Sequence, residues 1–217
     1  MLLTGFPAGM LACNCYVLAD RQGSDAIVVD PGQRAFAPLR RILDENRLTP
    51  AAVLVTHGHI DHIWSAQKVA DTFGCAVYIH PADRHMLTDP IRGFGPRIAQ
   101  VAFGTLFREP RQIVELDRDG AVLDVGGISV TVDHTPGHTR GSVCFRASDV
   151  VFTGDTLFKQ SVGRTDLPGG SGRDLLDSII TKLLVLDDDT RVLPGHGEAT
   201  TIGAERGANP FLQGIRL

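Results

Sequence analysis

Thr56-His57-Gly58-His59-Ile60-Asp61-His62 puts four potential metal ligands into six residues, just after the apolar run Val53 to Val55 and just before a helical pattern. His57 and His59 stand two apart, so an extended backbone projects both to one side, and a turn at Gly58 lets the chain close round an ion. Asp61 and His62 then open the helix and can face a neighbouring position. Taken alone, Asp61 reads as a helix N-cap, because an aspartate there accepts backbone N–H bonds without any metal. Three histidines in six residues have no packing rationale of that kind, and neutral imidazole is the commonest metal ligand. The stretch therefore predicts a metal centre where a strand meets a helix.

The same local setting, an apolar strand running into a glycine turn, recurs three times further along. It appears in Thr135-Pro136-Gly137-His138-Thr139, in Phe152-Thr153-Gly154-Asp155-Thr156 and in Leu193-Pro194-Gly195-His196-Gly197. Strand ends are where mixed folds gather functional groups, so His138, Asp155 and His196 are expected to converge on the first cluster. Seven nitrogen and oxygen donors exceed what one tetrahedral ion uses but suit two divalent ions about 3.5 to 4 Å apart that share a carboxylate. Asp155 is the natural bridge. Imidazole and carboxylate fit zinc, iron or manganese, and hydrolysis favours zinc.

Around these motifs, Val- and Ile-rich runs read as strands: Cys15 to Leu18, Ala26 to Val29, Val53 to Val55, Val77 to Ile79, Ile128 to Val132, Val143 to Phe145 and Val150 to Phe152. Helical stripes lie between them, at Leu39, Ile42 and Leu43 and again from Ile63 through Val69 to Phe73, stopped by Gly74. A third stripe runs from Leu175 to Leu184, behind a capping box at Ser171 and Asp174. Paired strands are expected around the Gly126-Gly127 turn. The order implies a mixed α/β fold, with sheets covered by helices in a single domain over residues 1–217. Residues Asp89 to Arg111, with Phe94, Phe103 and Phe107 among glycines and prolines, read as an inserted loop.

Composition narrows the function classes. The 217 residues carry 43% hydrophobic and 21% charged side chains, a globular balance that argues against disorder. A net charge of −4 without Lys/Arg runs disfavours nucleic acid as a partner. No stretch approaches the roughly 20 apolar residues of a membrane span. The opening from Met1 to Ala19 lacks a positive region, and Gly5, Pro7, Gly9 and Asn14 interrupt it, so no export signal is expected. Cys13, Cys15, Cys75 and Cys144 form no CxxC pair, which suits reduced, buried thiols in a cytoplasm.

The His57 to His62 segment matches HxHxDH, and on it the chain resembles the metallo-β-lactamase fold superfamily. The Thr-Pro-Gly-His-Thr, Thr-Gly-Asp-Thr-Leu and Pro-Gly-His-Gly segments are similar to those of glyoxalase II, the hydroxyacylglutathione hydrolases. The resemblance implies a four-layer αββα sandwich. It implies that His57, His59 and His138 hold one metal and that Asp61, His62 and His196 hold the second, with Asp155 bridging. It further implies cleavage of a small 2-hydroxyacyl thioester by a metal-bridging hydroxide, with Asp61 and Asp155 in the catalytic set. An aspartate at the bridge, where many β-lactamases place cysteine or serine, argues against antibiotic hydrolysis.

Two departures qualify the resemblance. Only 21 residues follow His196, so a counterpart of the helical extension that helps glyoxalase II hold glutathione is not expected, and the chain is expected to depend less on the glutathione portion. The loop from Gly163 to Gly170 resembles a compact glyoxalase-II-like subgroup and also the persulfide dioxygenases, which keeps a mononuclear iron enzyme as the alternative. In that loop Arg164 is a candidate substrate-binding residue: its fork can clamp a carboxylate, or it can brace the loop through Asp166. His80, His85 and His134 lie outside glycine turns and are expected to be supporting or surface residues. Tyr16 and Tyr78 read as ordinary sheet residues.

Overall fold

In the computed structural model, which describes residues 1–89 and 107–213, two six-stranded sheets face each other. The first contains β1 (Leu2–Ala8), β2 (Cys13–Ala19), β3 (Asp25–Val29), β4 (Thr49–Leu54), β5 (Ala76–Ile79) and β6 (Ile113–Glu115), side by side in chain order. Its first three strands pair antiparallel and the remainder parallel. The second sheet is built from β7 (Ala121–Val125), β8 (Ile128–His134), β9 (Val143–Ala147), β10 (Val150–Gly154), β13 (Arg191–Pro194) and β14 (Thr200–Thr201). Its spatial order is β14-β13-β10-β9-β8-β7, with one parallel pair, β10 beside β13. A small ribbon of β11 (Leu157–Phe158) and β12 (Ser161–Val162) stands apart.

The layers follow from side-chain alternation. Along β2 every residue is buried, because Cys15, Val17 and Ala19 face a helix layer while Tyr16 and Leu18 face the other sheet. The helix layer on the first sheet comprises α1 (Phe36–Asn46), which buries Leu39 and Leu43, the short α2 (Ile60–Ile63) and α3 (Ala66–Phe73), which buries Val69 and Ala70. Each fully buried leucine there contributes roughly 1.5–3 kcal/mol. The turn of helix α4 (Pro81–Arg84) follows β5. On the second sheet, α5 (Gly172–Ser178), the π-helical turn Ile179–Leu183 and α6 (Ile202–Ala208) pack Leu175, Ile179, Leu183 and Ile202 against Cys144, Val151 and Val192. Between the sheets lie Leu18, Ile27, Leu54, Val132, Phe145, Phe152 and Leu193. The expected αββα arrangement is present.

Local expectations fare unevenly. Ser171 caps α5 by accepting from the Asp174 amide at 3.3 Å, and α3 ends at Gly74. The stripe expected as one helix from Ile63 to Phe73 is divided: α2 stops at Ile63 and α3 starts at Ala66. The cause is Ser65, whose amide and hydroxyl donate to the carbonyls of Pro31 and Gly32, both at 2.8 Å, and tie this point to the loop after β3. All four cysteines are free and buried. Of the expected insertion at 89–111, residues 90–106 lie outside the described residues; Phe107 meets Trp64 edge-on at 5.2 Å. Among the described residues no helix is long and apolar enough to cross a membrane.

Candidate metal centre

The seven donors meet at one edge of the sandwich, where both sheets present strand ends. His57 to His62 follow β4, His138 lies between β8 and β9, Asp155 follows β10 and His196 follows β13. The parallel pairing of β10 with β13 sets Asp155 beside His196, and the Gly195 amide donates to the Gly154 carbonyl at 2.8 Å. A side chain at Gly195 would collide with Asp155 Oδ1 and His62 Cε1, so that turn needs a residue without Cβ.

One group consists of His57, His59 and His138, all buried. Their rings stand nearly perpendicular to one another, with centroids 4.6 to 4.7 Å apart. His59 Nδ1 lies 3.1 Å from His57 Nε2 and 2.8 Å from His138 Nε2. The edge of a tetrahedron with 2.0–2.1 Å bonds is about 3.3 Å, so these nitrogens stand near the spacing that one ion would set. Burial, and then the neighbouring histidines, hold His57 well below the usual imidazole range; burial and His138 bring His59 down to about 4. Burial also lowers His138. All three therefore present neutral rings, the form that ligates.

The other group surrounds Asp61, His62 and His196. Asp61 Oδ2 stands 3.2 Å from His196 Nε2 and 3.8 Å from His62 Nε2. Asp155 reaches both groups, with Oδ1 at 3.3 Å from His62 Nε2 and Oδ2 at 3.5 Å from His138 Nε2. His62 Nε2 and Asp155 Oδ1 are fully buried and have no hydrogen-bond partner of acceptable geometry. Such atoms are costly to bury unless something pairs with them, and a divalent cation would serve both. Burial pushes His62 down, but Cys13, Asp155 and Asp30 outweigh it and carry its pKa well above the usual range. Burial likewise raises Asp155, and His62, His138 and His196 outweigh that to hold it low. The carboxylates thus draw in positive charge, and the residues present fit a metal.

The rings of His57, His62, His138 and His196 are fixed from behind. Nδ1 of His57 meets Thr56 Oγ1 at 3.1 Å, that of His62 meets Asp30 Oδ2 at 2.9 Å, that of His138 meets the Arg164 carbonyl at 2.8 Å, and that of His196 meets the Leu11 carbonyl at 3.0 Å. Each contact turns Nε2 toward the centre and sets the ring's orientation. Asp61 is the second residue of α2; its side chain caps no helix and faces His196.

Sequence reasoning missed several of the supports. Asp30, buried after β3, accepts from the Thr56 amide at 2.8 Å and hydroxyl at 2.6 Å as well as from His62. Asp83, fully buried in α4, accepts from the Gly58 amide, the Thr139 hydroxyl and the Gly141 amide at 2.7 to 2.9 Å. Asn14 Nδ2 donates to the carbonyls of Pro194 and Gly197, and the Tyr16 hydroxyl donates to Pro194 at 2.7 Å. Tyr16 is thus more than a sheet residue. Asp30-Pro31-Gly32 follows a strand and runs into a glycine, the signal that marked the other motifs. Arg164 is exposed, and its guanidinium is paired with Asp166 at 2.7 and 2.8 Å, the bracing arrangement. His80 and His134 stack at 4.2 Å, away from the seven donors.

The model of the Metallo-beta-lactamase superfamily matches residues 8–196. The chain belongs to that superfamily. Its superfamily relatives include hydroxyacylglutathione hydrolase GloC of Haemophilus influenzae, 36% identical over 92% of each chain. Among solved structures, BLEG-1 B3 metallo-beta-lactamase superposes with a TM-score of 0.85 at 39% identity, over 98% of this chain and 100% of that one. TTHA1623 in a di-iron-bound form gives 0.80 at 34% identity, over 96% and 100%. Superfamily membership supports a metal-dependent hydrolase with the His/Asp groups as its candidate metal centre.

Proposed function

We propose that this chain hydrolyses a small 2-hydroxyacyl thioester at a centre of two divalent ions, one held by His57, His59 and His138, the other by Asp61, His62 and His196, with Asp155 between them. The observation that carries the reading is Asp155, whose two oxygens each approach a histidine of a different group. When bound, such ions lower the pKa of coordinated water to about 7 and polarise an acyl carbonyl.

The chain's own residues supply orientation and access. Thr56, Asp30, Leu11 and Arg164 hold the rings in place through the contacts described, so no reorganisation is needed as charge develops. His57 and His62 are closed off at 1% and 0% exposure, whereas His196 is 27% exposed, so substrate reaches the centre on the Asp61–His196 side. All seven donors are committed to ligation, which leaves none of them to protonate a departing amine. A thiolate with a parent pKa of about 8.5 leaves without such an acid, which favours a thioester over a lactam. The similarity to GloC supports the same choice.

The test is thiol release from a panel of lactoyl thioesters on different carriers, with metals quantified on the same sample. Turnover of several carriers with two ions per chain is expected. Sulfite from a persulfide, or lactam opening without thiol release, would replace this reading. Zinc, iron and manganese are separated by the same metal analysis.

A further inference from the structure

Cys13 is the fully buried first residue of β2, and it packs differently from the other three cysteines. Cys15 and Cys75 lie in the helix-facing core of the first sheet and Cys144 in that of the second. Cys13 instead forms an isolated antiparallel bridge with His196, and the neighbouring Asn14 amide donates to the Gly195 carbonyl at 2.7 Å. This bridge locks the thiol beside the partly exposed half of the centre.

The sulfur, an Asp61 carboxylate oxygen and ring nitrogens of His62 and His196 all lie within 4.8 Å of one another. The sulfur's contact with the Asn14 carbonyl, at 3.9 Å, is weak. A second observation points into the same space: His62 belongs to this quartet and is fully buried, and its Nε2 makes no hydrogen bond of acceptable geometry, the Asp155 Oδ1 at 3.3 Å facing it only as an ion-pair partner. A thiol acting only as a small hydrophobe would sit among apolar neighbours rather than among three nitrogen and oxygen donors.

We propose that the Cys13 thiolate is an additional ligand to the ion held by Asp61, His62 and His196, and that it makes this position selective for thiophilic divalent ions. The inference rests on the reading that this half of the centre holds an ion. The step is an exchange: the sulfur–hydrogen bond breaks, the proton passes to solvent, and the sulfur lone pair bonds the cation with no change of oxidation state. His57, His59 and His138 offer only imidazole to the other ion. The two positions therefore differ in softness, with zinc or cobalt preferred over manganese most strongly at the Cys13 position.

The experiment strips the full-length protein with chelator and reloads it with cobalt(II), then measures cobalt per chain and the near-ultraviolet absorbance. The parent is compared with Cys13→Ser, Cys13→Ala and the control Cys75→Ala. The expected result is two cobalt ions per chain and a sulfur-to-cobalt charge-transfer band in the parent and in Cys75→Ala. Both Cys13 variants should lose the band and bind the second cobalt about tenfold more weakly or worse, a loss usual even for outer partners of a ligand. A parent without the band overturns the inference whether or not any variant folds. So does a band that persists in a folded Cys13 variant. Two cobalt ions without the band leave the two-ion reading standing, whereas one ion without it removes both. One ion with a Cys13-dependent band upholds the ligand and removes the pair.

Discussion

The two halves of the centre are built differently. The His57–His59–His138 half is closed, with each ring under 10% exposed, and two of its three residues come from one loop. Asp83 braces it from a single point, accepting from both the 58 loop and the 139–141 turn. The Asp61–His62–His196 half likewise takes two residues from that segment, but it is open, with Asp61 and His196 at 15% and 27% exposure. It depends on scattered supports: Asp30 behind His62, the Leu11 carbonyl behind His196, and Asn14 behind the Gly195 turn. The closed half has its two segments joined by one buried carboxylate, whereas the open half is positioned from several directions.

The largest effect that bears on this comparison is expected from Asp155→Ala, which removes the only carboxylate facing both groups among the described residues. Both ions should be lost in metal analysis, and kcat should fall by at least about 10²- to 10³-fold, the scale for a single electrostatic group in an active site. Normal metal content in that variant would break the bridging role. Next comes Asp30→Asn, which should weaken the ion at His62, whose ring Asp30 contacts directly, about 10- to 100-fold, and the ion at His57, which it reaches only through Thr56, by less, as read by stepwise metal titration. Equal weakening of both ions would show that the halves are not independent.

Asp83→Asn is expected to destabilise the fold by about 1–3 kcal/mol, because three buried donors share its two oxygens and the amide offers only one. That corresponds to a fall in Tm of roughly 2–4 °C per kcal/mol for a chain of this size, measured by thermal unfolding. The affinity lost should belong to the closed half. Arg164→Ala should do least, leaving Tm unchanged, since its partner Asp166 is exposed and surface pairs contribute little. A rise in KM at constant kcat in that variant would assign its guanidinium to substrate.

Much of both halves was legible because the stretch from His57 to His62 carries two donors of each, and the three later motifs share a recognisable strand-to-glycine form. The strands at Ala26, Val143 and Val150 were legible for a related reason: both faces are largely buried, so their apolar runs are uninterrupted. Strand β1 was not, because Gly5 and Pro7 interrupt its apolar run, yet it is an edge strand in which proline is tolerated, and it pairs along seven residues with β2. The break at Trp64-Ser65 depends on the carbonyls of Pro31 and Gly32, which no local pattern reveals. Asp30 and Asp83 were hidden in the same way. A buried carboxylate looks like any other in sequence until the distant amides it accepts from are known.

The donors are shared between the two sheets of the sandwich, four to three: His57, His59, Asp61 and His62 extend from the first sheet, and His138, Asp155 and His196 from the second. A cation gripped there would be a clasp across the seam between the sheets, working at the one edge where their strand ends meet. Opening the seam would then require releasing the ion, so occupancy at a hundred times the dissociation constant would add about 2.7 kcal/mol to the work of parting the sheets. Metal supply would set how long the protein survives as well as how fast it works.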